Sequence, residues 1–265
     1  MSALPPISIA LERVSKRFDV GGQQVQAVAD IEFQVRRGEF VSLIGPSGCG
    51  KSTVLRMLAD LAQPSTGRVT IEGGLPSEAR RRRLLGMVFQ DATLLPWRTT
   101  AANIELPLEV VNRERVEAAR PTEDLLKLVG LQDFRNALPA QLSGGMRQRA
   151  AIARALILNP KVLLLDEPFG ALDEITRNRL NFDLLKIWTE VGITAVLVTH
   201  SIAEAVTMSD RIYVMSPRPA RIVDVIDVAL PRPRNAEMTR SPAFFEFVAR
   251  TSEALYRPFE VASVA

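Results

Sequence analysis

The chain has 265 residues, 47% hydrophobic and 24% charged, with a formal net charge of +3. That is an ordinary globular balance, and so small a charge gives no argument for a nucleic-acid partner. No run approaches about 18 apolar residues, the length a membrane-spanning helix needs, and the one cysteine, Cys49, excludes an internal disulfide and fits a reducing compartment.

The first ten residues lack the basic and apolar regions of a secretion signal. The expectation is a soluble cytoplasmic protein that would reach a membrane only through a partner. Residues 7–14 alternate apolar and polar, as a half-buried strand does. Phe18 follows, then a turn at Gly21-Gly22. Two roles are open to Phe18: a core residue, or a flat face for a nucleotide base. Residues 27–35 read as further strand, and Phe40–Ile44 as a short buried one.

Next comes Gly45-Pro46-Ser47-Gly48-Cys49-Gly50-Lys51-Ser52-Thr53, which fits the phosphate-loop pattern G-x-x-x-x-G-K-[ST] without mismatch. Helical spacing follows over residues 53–59. The glycines let the backbone curl until several N–H groups face one point. The new helix adds its free N–H groups and positive dipole end. Lys51 can reach the β- and γ-phosphates of a nucleotide, and the Ser52 hydroxyl can hold Mg²⁺. A glycine-rich turn of no consequence is the weaker reading, because strand and helix both flank it.

Residues 63–67 form a turn, 68–72 a strand, and Gly73-Gly74 ends it. The basic run at residues 80–83 could bind anions, though a solvated helix face is the commoner explanation of such a run. Residues 84–89 are a predicted strand ending at Gln90. Over residues 91–142 strand signals fade, and helical spacing at 118–129, stopped by Gly130, predicts a helical insert. At its entry, Leu94-Leu95-Pro96-Trp97 suggests a docking surface if Trp97 is exposed, or simple packing if it is buried.

Ser143 is a good N-cap. Gly144 and Gly145 then expose bare N–H groups at the first turn of a long alanine-rich helix, where an anion is favoured. The run 162–165 is continuously apolar, as a central parallel strand is, and it ends in Asp166-Glu167. Ligands of open α/β sheets lie at the carboxyl ends of strands. Asp166 is therefore placed to support Mg²⁺, and Glu167 to polarise an attacking water. Residues 170–173 are a short loop and 180–191 a helix. The strand 193–199 ends at His200, the only histidine, on the same predicted edge. Residues 204–214 run helix to strand. A proline- and arginine-rich stretch follows, with a strand at 222–228, a linker, and a final helix at 242–256.

These motifs, in this order, resemble one family: the ATP-binding subunits of ABC transporters. The likeness covers residues 7–234. Gly45 to Thr53 matches the Walker A loop, Gln90 the glutamine loop, and Leu142-Ser143-Gly144-Gly145-Met146 the signature. Val162–Asp166 matches the Walker B strand, with Glu167 as catalytic carboxylate. Residues 170–173, ending in Asp173, match the D-loop, His200 the switch histidine, and Phe18 the adenine-stacking aromatic. Met146 stands where many members have glutamine. The strings Leu94-Leu95-Pro96-Trp97, Gly144-Gly145-Met146-Arg147-Gln148-Arg149 and Met215-Ser216-Pro217-Arg218-Pro219 look like the branch that imports nitrate, sulfonates and taurine.

The resemblance implies an α/β fold of the P-loop ABC ATPase type: a mainly parallel core sheet, an N-terminal antiparallel β subdomain and a helical insert. It implies an ATPase domain over 1–235, with the insert at about 91–150, and a helical tail over 236–265. The implied cofactors are ATP and Mg²⁺, the metal held by Ser52, Gln90 and Asp166. Phe18, the loop from Gly45 to Thr53, Ser143, Gly144, Gly145 and Asp173 would contact nucleotide, with Glu167, His200 and Gln90 catalytic. The implied partners are a second copy in a head-to-tail dimer, membrane permease subunits near Leu94 and Trp97, and, indirectly, an extracytoplasmic solute-binding protein; no nucleic acid is among them. The implied place is the cytoplasmic face of the inner membrane. The rival readings are a soluble ABC ATPase acting on DNA or ribosomes, and a nucleotide-binding regulator without catalysis. The absence of a long coiled coil and of a second ATPase unit weighs against the first, and Glu167 with His200 against the second.

Overall fold

The computed structural model describes residues 4–111 and 119–263. Contacts divide the chain into two compact units, Met1–Arg80 with Thr194–Ala265, and Arg81–Ile193.

The first unit begins with β1 (Ile7–Val20) and β2 (Gln23–Arg36), an antiparallel hairpin turning at Gly21 and Gly22, both at positive φ. Strand β4 (Thr66–Ile71) joins the other side of β1, giving a three-stranded sheet in the order β2-β1-β4. The hairpin runs past the residues whose alternation predicts a strand. Beyond Val14 both of its faces turn toward solvent, so burial, and with it alternation, fades.

The parallel core of this unit is β3 (Phe40–Ile44), flanked by β7 (Thr194–Thr199) and β8 (Arg211–Met215). Every residue of β3 and β7 is buried, as in central strands covered on both faces. The one polar residue of β3, Ser42, is matched in the interior by the Ser209 hydroxyl. Strand β9 (Ile222–Asp227) adds antiparallel to β8. Helix α1 (Lys51–Leu58) follows the phosphate loop, and α7 (Ile202–Met208) packs on β3.

The final helix, α8 (Pro242–Ser263), is longer than its apolar spacing predicts. It buries Phe244 and Ala254 against Val206, Ile212, Val214 and Ile226. Arg234, read from sequence as linker, is interior. Its Nη1 donates to the carbonyls of Val206, Thr207 and Ser209 at 3.0, 3.1 and 2.7 Å, and its Nη2 to Val228 at 3.2 Å. Burial pulls its pKa down to about 10, so it is charged at neutral pH. Replacing Arg234 with Leu leaves these buried carbonyls without their donor. The expected cost is about 3 kcal/mol, read as a lower urea midpoint with an unchanged slope.

In the second unit β5 (Leu85–Val88) and β6 (Val162–Asp166) pair in parallel. Three helices pack on one another there: α3 (Thr100–Val110), α4 (Thr122–Leu128) and α5 (Gly144–Leu156), with α6 (Glu174–Val191) against α5. The insert is helical, as expected. The predicted helix at 118–129 corresponds to α4; its first residue, Ala118, lies outside the described residues. The spacing did not announce α3, because Pro107 and the buried polar Asn103 interrupt its apolar pattern. Helix α6 starts six residues before the predicted 180, where Asp173 caps it.

Candidate active site

The phosphate loop leaves β3 at Gly45, where a side chain does not fit: an added Cβ would lie 2.9 Å from the Met215 carbonyl oxygen. Gly48 and Gly50 hold φ of +71° and +130°. At Gly50 a Cβ would also lie 3.0 Å from the Ala27 carbonyl oxygen, so this glycine is required twice over. Around Gly48 an added Cβ meets nothing within 4 Å, so the loop's crest is open. Helix α1 starts at Lys51 with no side-chain cap on its N–H groups. Lys51 is only 5% exposed, and its Nζ donates to the Gly45 and Pro46 carbonyls at 2.8 and 3.0 Å. The Cys49 side chain is buried behind the loop, and burial pushes its thiol pKa up. These features fit a polyphosphate: uncapped N–H groups, an open crest, and an ammonium held by weak neutral acceptors that a phosphate oxygen outcompetes.

Two further residues of this unit bear on the loop. Thr199 pairs with Ile44, so Gly45 and His200 leave adjacent parallel strands at one level; His200 is exposed there. Arg218, read from sequence as part of a proline-arginine stretch, donates from Nη2 to the Gly48 carbonyl at 2.9 Å. Nothing local in the sequence signals that contact, because it bridges 170 positions. Phe18 is 39% exposed on β1, with the Lys16 ammonium 5.0 Å from its ring centre. It is therefore not a core residue.

The second unit repeats the strand-end logic. Val88 pairs with Leu165, so Gln90 and Glu167 each stand two residues beyond a matched pair of parallel strands, with Asp166 half-buried beside them. Glu167 has φ +45°, a strained value for a residue with a side chain. The Gly170 N–H donates to its carbonyl at 3.1 Å, closing the turn that holds it. Oxygen donors such as Ser52, Gln90 and Asp166 suit Mg²⁺, which usually takes one or two carboxylates and completes its shell with substrate and water. No cluster of three or more His, Cys, Asp or Glu side chains fit for a metal occurs among the described residues.

Ser143 caps α5, its hydroxyl accepting from the Met146 N–H at 3.2 Å. Gly144 and Gly145 lie so close to Leu172 and Leu180 that an added Cβ would come within 2.9 and 3.1 Å. Asp173 spends its side chain on α6, accepting from the Thr176 N–H at 2.9 Å, and that bond holds its carboxyl below the usual range.

The tip of the apolar loop is exposed. Trp97 is 72% exposed beside exposed Pro96. Buried Asn103 shapes it, accepting from the Leu95 N–H at 2.7 Å and donating to the Leu95, Arg98 and Thr99 carbonyls. A groove of about 480 Å³ in the same unit is lined by Phe89, Thr93, Leu106, Pro107, Val110 and Arg154.

Comparison with known proteins agrees with this geometry. The family model described as ABC transporter matches residues 28–170. The chain is 45% identical over 245 residues to the nitrate import ATP-binding protein NrtC of Synechococcus elongatus, covering 91% of this chain and 37% of that protein. It therefore spans little more than a third of that relative's length. It is 44% identical over 201 residues to the taurine import ATP-binding protein TauB of Pelagibacter ubique, covering 76% of this chain and 75% of the relative. Its fold matches a dimeric ATP-binding cassette in a post-hydrolysis state, bound to ADP and Pi, with TM-score 0.71 and 34% identity over 84% of this chain and all of that one. The expected P-loop α/β fold, with its antiparallel N-terminal sheet and parallel core strands, is the fold found, and the chain belongs to the ABC transporter family.

Proposed function

We propose that this chain is the ATP-hydrolysing subunit of a membrane importer for a small solute such as nitrate, a sulfonate or taurine. The observation that carries this reading is the matched strand-end register, which sets Gly45 beside His200 and Gln90 beside Glu167. The relatives that import nitrate and taurine support the class of cargo.

In this reading the adenine stacks on Phe18. The phosphates lie on the loop Gly45, Pro46, Ser47, Gly48, Cys49, Gly50, Lys51, Ser52 and Thr53, and Lys51 exchanges its two carbonyls for phosphate oxygens. Mg²⁺, when bound, would be held by Ser52, Gln90 and Asp166 and would neutralise phosphate charge. Glu167 accepts a proton from the attacking water as its oxygen bonds to the γ-phosphorus and the bond to ADP breaks. His200 donates to the γ-phosphate. Ser143, Gly144 and Gly145 of a second copy cap that phosphate from the far side, with Asp173 beside them. ATP thus bridges a head-to-tail dimer, and loss of the bridging charge on hydrolysis releases it.

Permease subunits dock on the exposed loop at Trp97, and Gln90 reports the nucleotide state to that surface. The solute-binding protein acts only through the permease. The chain is peripheral on the cytoplasmic face of the inner membrane; among the described residues no helix is long and apolar enough to cross a membrane. Residues 1–235 make the ATPase domain, with a helical subdomain at about 91–150, and residues 236–265 a tail.

The test is phosphate release by the purified chain. Steady turnover with Mg²⁺ and ATP, abolished by EDTA and restored by added Mg²⁺, is the expected result. Release that ignores EDTA, or none under any condition, contradicts the reading.

A further inference from the structure

The loop that carries Gln90 is held from both sides by one helix. Gln148, on α5 and only 4% exposed, donates from Nε2 to the Phe89 carbonyl at 2.9 Å. Six residues further along the same helix, Arg154 grips the other flank. Its Nη2 donates to the Ala92 carbonyl at 2.7 Å and to the Thr93 hydroxyl at 3.1 Å, and its Nη1 to the Thr93 carbonyl at 2.9 Å. Six helical residues span about 9 Å, so the two side chains fix the loop's ends as two points of one rigid rod. Thr93 is held at φ +45°, a strained value that persists where its surroundings over-determine it. The rod starts at Ser143, Gly144 and Gly145.

We propose that Gln148 and Arg154 are positioning residues that tie the Gln90 loop to the helix opened by Ser143, Gly144 and Gly145, so that the two move as one piece. This rests on the reading that those residues meet ATP. A phosphate seated at the start of α5 fixes the helix, and the helix then sets Gln90 through three carbonyls and a hydroxyl. Arg154 also lines a groove together with Phe89 and Thr93, the two residues it and Gln148 hold. Charge-assisted bonds from a planar fork suit such a tie, because the fork fixes direction as well as distance.

The test is steady-state ATP hydrolysis by the wild type, Arg154→Ala and Arg154→Lys, each checked for folding by circular dichroism. Loss of the tie misplaces Gln90 without touching the phosphate loop. In Arg154→Ala, kcat is therefore expected to fall about tenfold while KM for ATP stays within about twofold. Arg154→Lys keeps the charge but not the fork, and should recover only part of kcat. The proposal fails if both variants keep wild-type kcat, or if KM rises in step with the fall in kcat, which would mark general damage to the fold. If the wild type itself releases no phosphate, the parent reading falls and the tie falls with it. Turnover in the wild type with no effect of either substitution removes the tie alone.

Discussion

Replacing Glu167 with Gln is expected to leave ATP binding intact and to slow phosphate release by at least about a hundredfold, the lower range of what a general base contributes. The amide matches the carboxylate in shape but cannot accept the proton from water. The turn that holds residue 167 at φ +45° is closed by the Gly170 N–H on its backbone carbonyl, a bond the substitution leaves in place. With the γ-phosphate retained, the bridging charge stays and the dimer has no reason to open. Sedimentation with Mg²⁺ and ATP should show the variant as a dimer and the wild type mostly as a monomer after turnover. A Glu167→Gln variant that is active and monomeric removes Glu167 from the role of base.

Replacing Lys51 with Ala is expected to weaken ATP binding by roughly a hundredfold, about 3 kcal/mol, the scale of charge-assisted hydrogen bonds lost to a phosphate. The buried ammonium does two things in this fold. It gathers the Gly45 and Pro46 carbonyls, which keeps the loop curled before a nucleotide arrives, and it carries the one lysine charge of the loop. Alanine removes both, while Val54, Leu55 and Leu58 go on anchoring α1 in the core. Titration with a fluorescent ATP analogue reads the affinity, and the melting temperature without nucleotide separates binding from folding. Unchanged affinity in Lys51→Ala would mean that the phosphates lie elsewhere.

The parts of the fold legible in the sequence are those whose cause is local. A near-continuous apolar run reads as buried strand in β3, β6 and β7 because burial on both faces selects apolar residues. Ser143 reads as a cap because the bond it makes spans three residues. The phosphate loop is legible for the same reason: its glycines answer to their own φ values and to neighbouring strands. What the sequence hides is side chains that bond to backbone far away. Arg154 reaches 62 positions to Ala92, Arg218 reaches 170 to Gly48, and Asn103 shapes a loop that precedes its own helix. None of these leaves a periodic trace. Arg234 is the plainest case: in a proline-rich stretch an arginine reads as solvated linker, yet here it is the donor for a cluster of interior carbonyls. Trp97 could be buried or exposed on its sequence alone, and the loop shaped by Asn103 leaves it exposed.

The most direct measurement of the central claim is a mild-detergent pull-down of the tagged protein from its native cells, with the co-purifying chains identified by mass. A multi-spanning permease is expected among them, retained by the wild type and lost when Trp97 is replaced by Ser. Recovery of ribosomal or DNA-repair proteins with no membrane protein would contradict it, and would leave the ATPase chemistry standing without the importer.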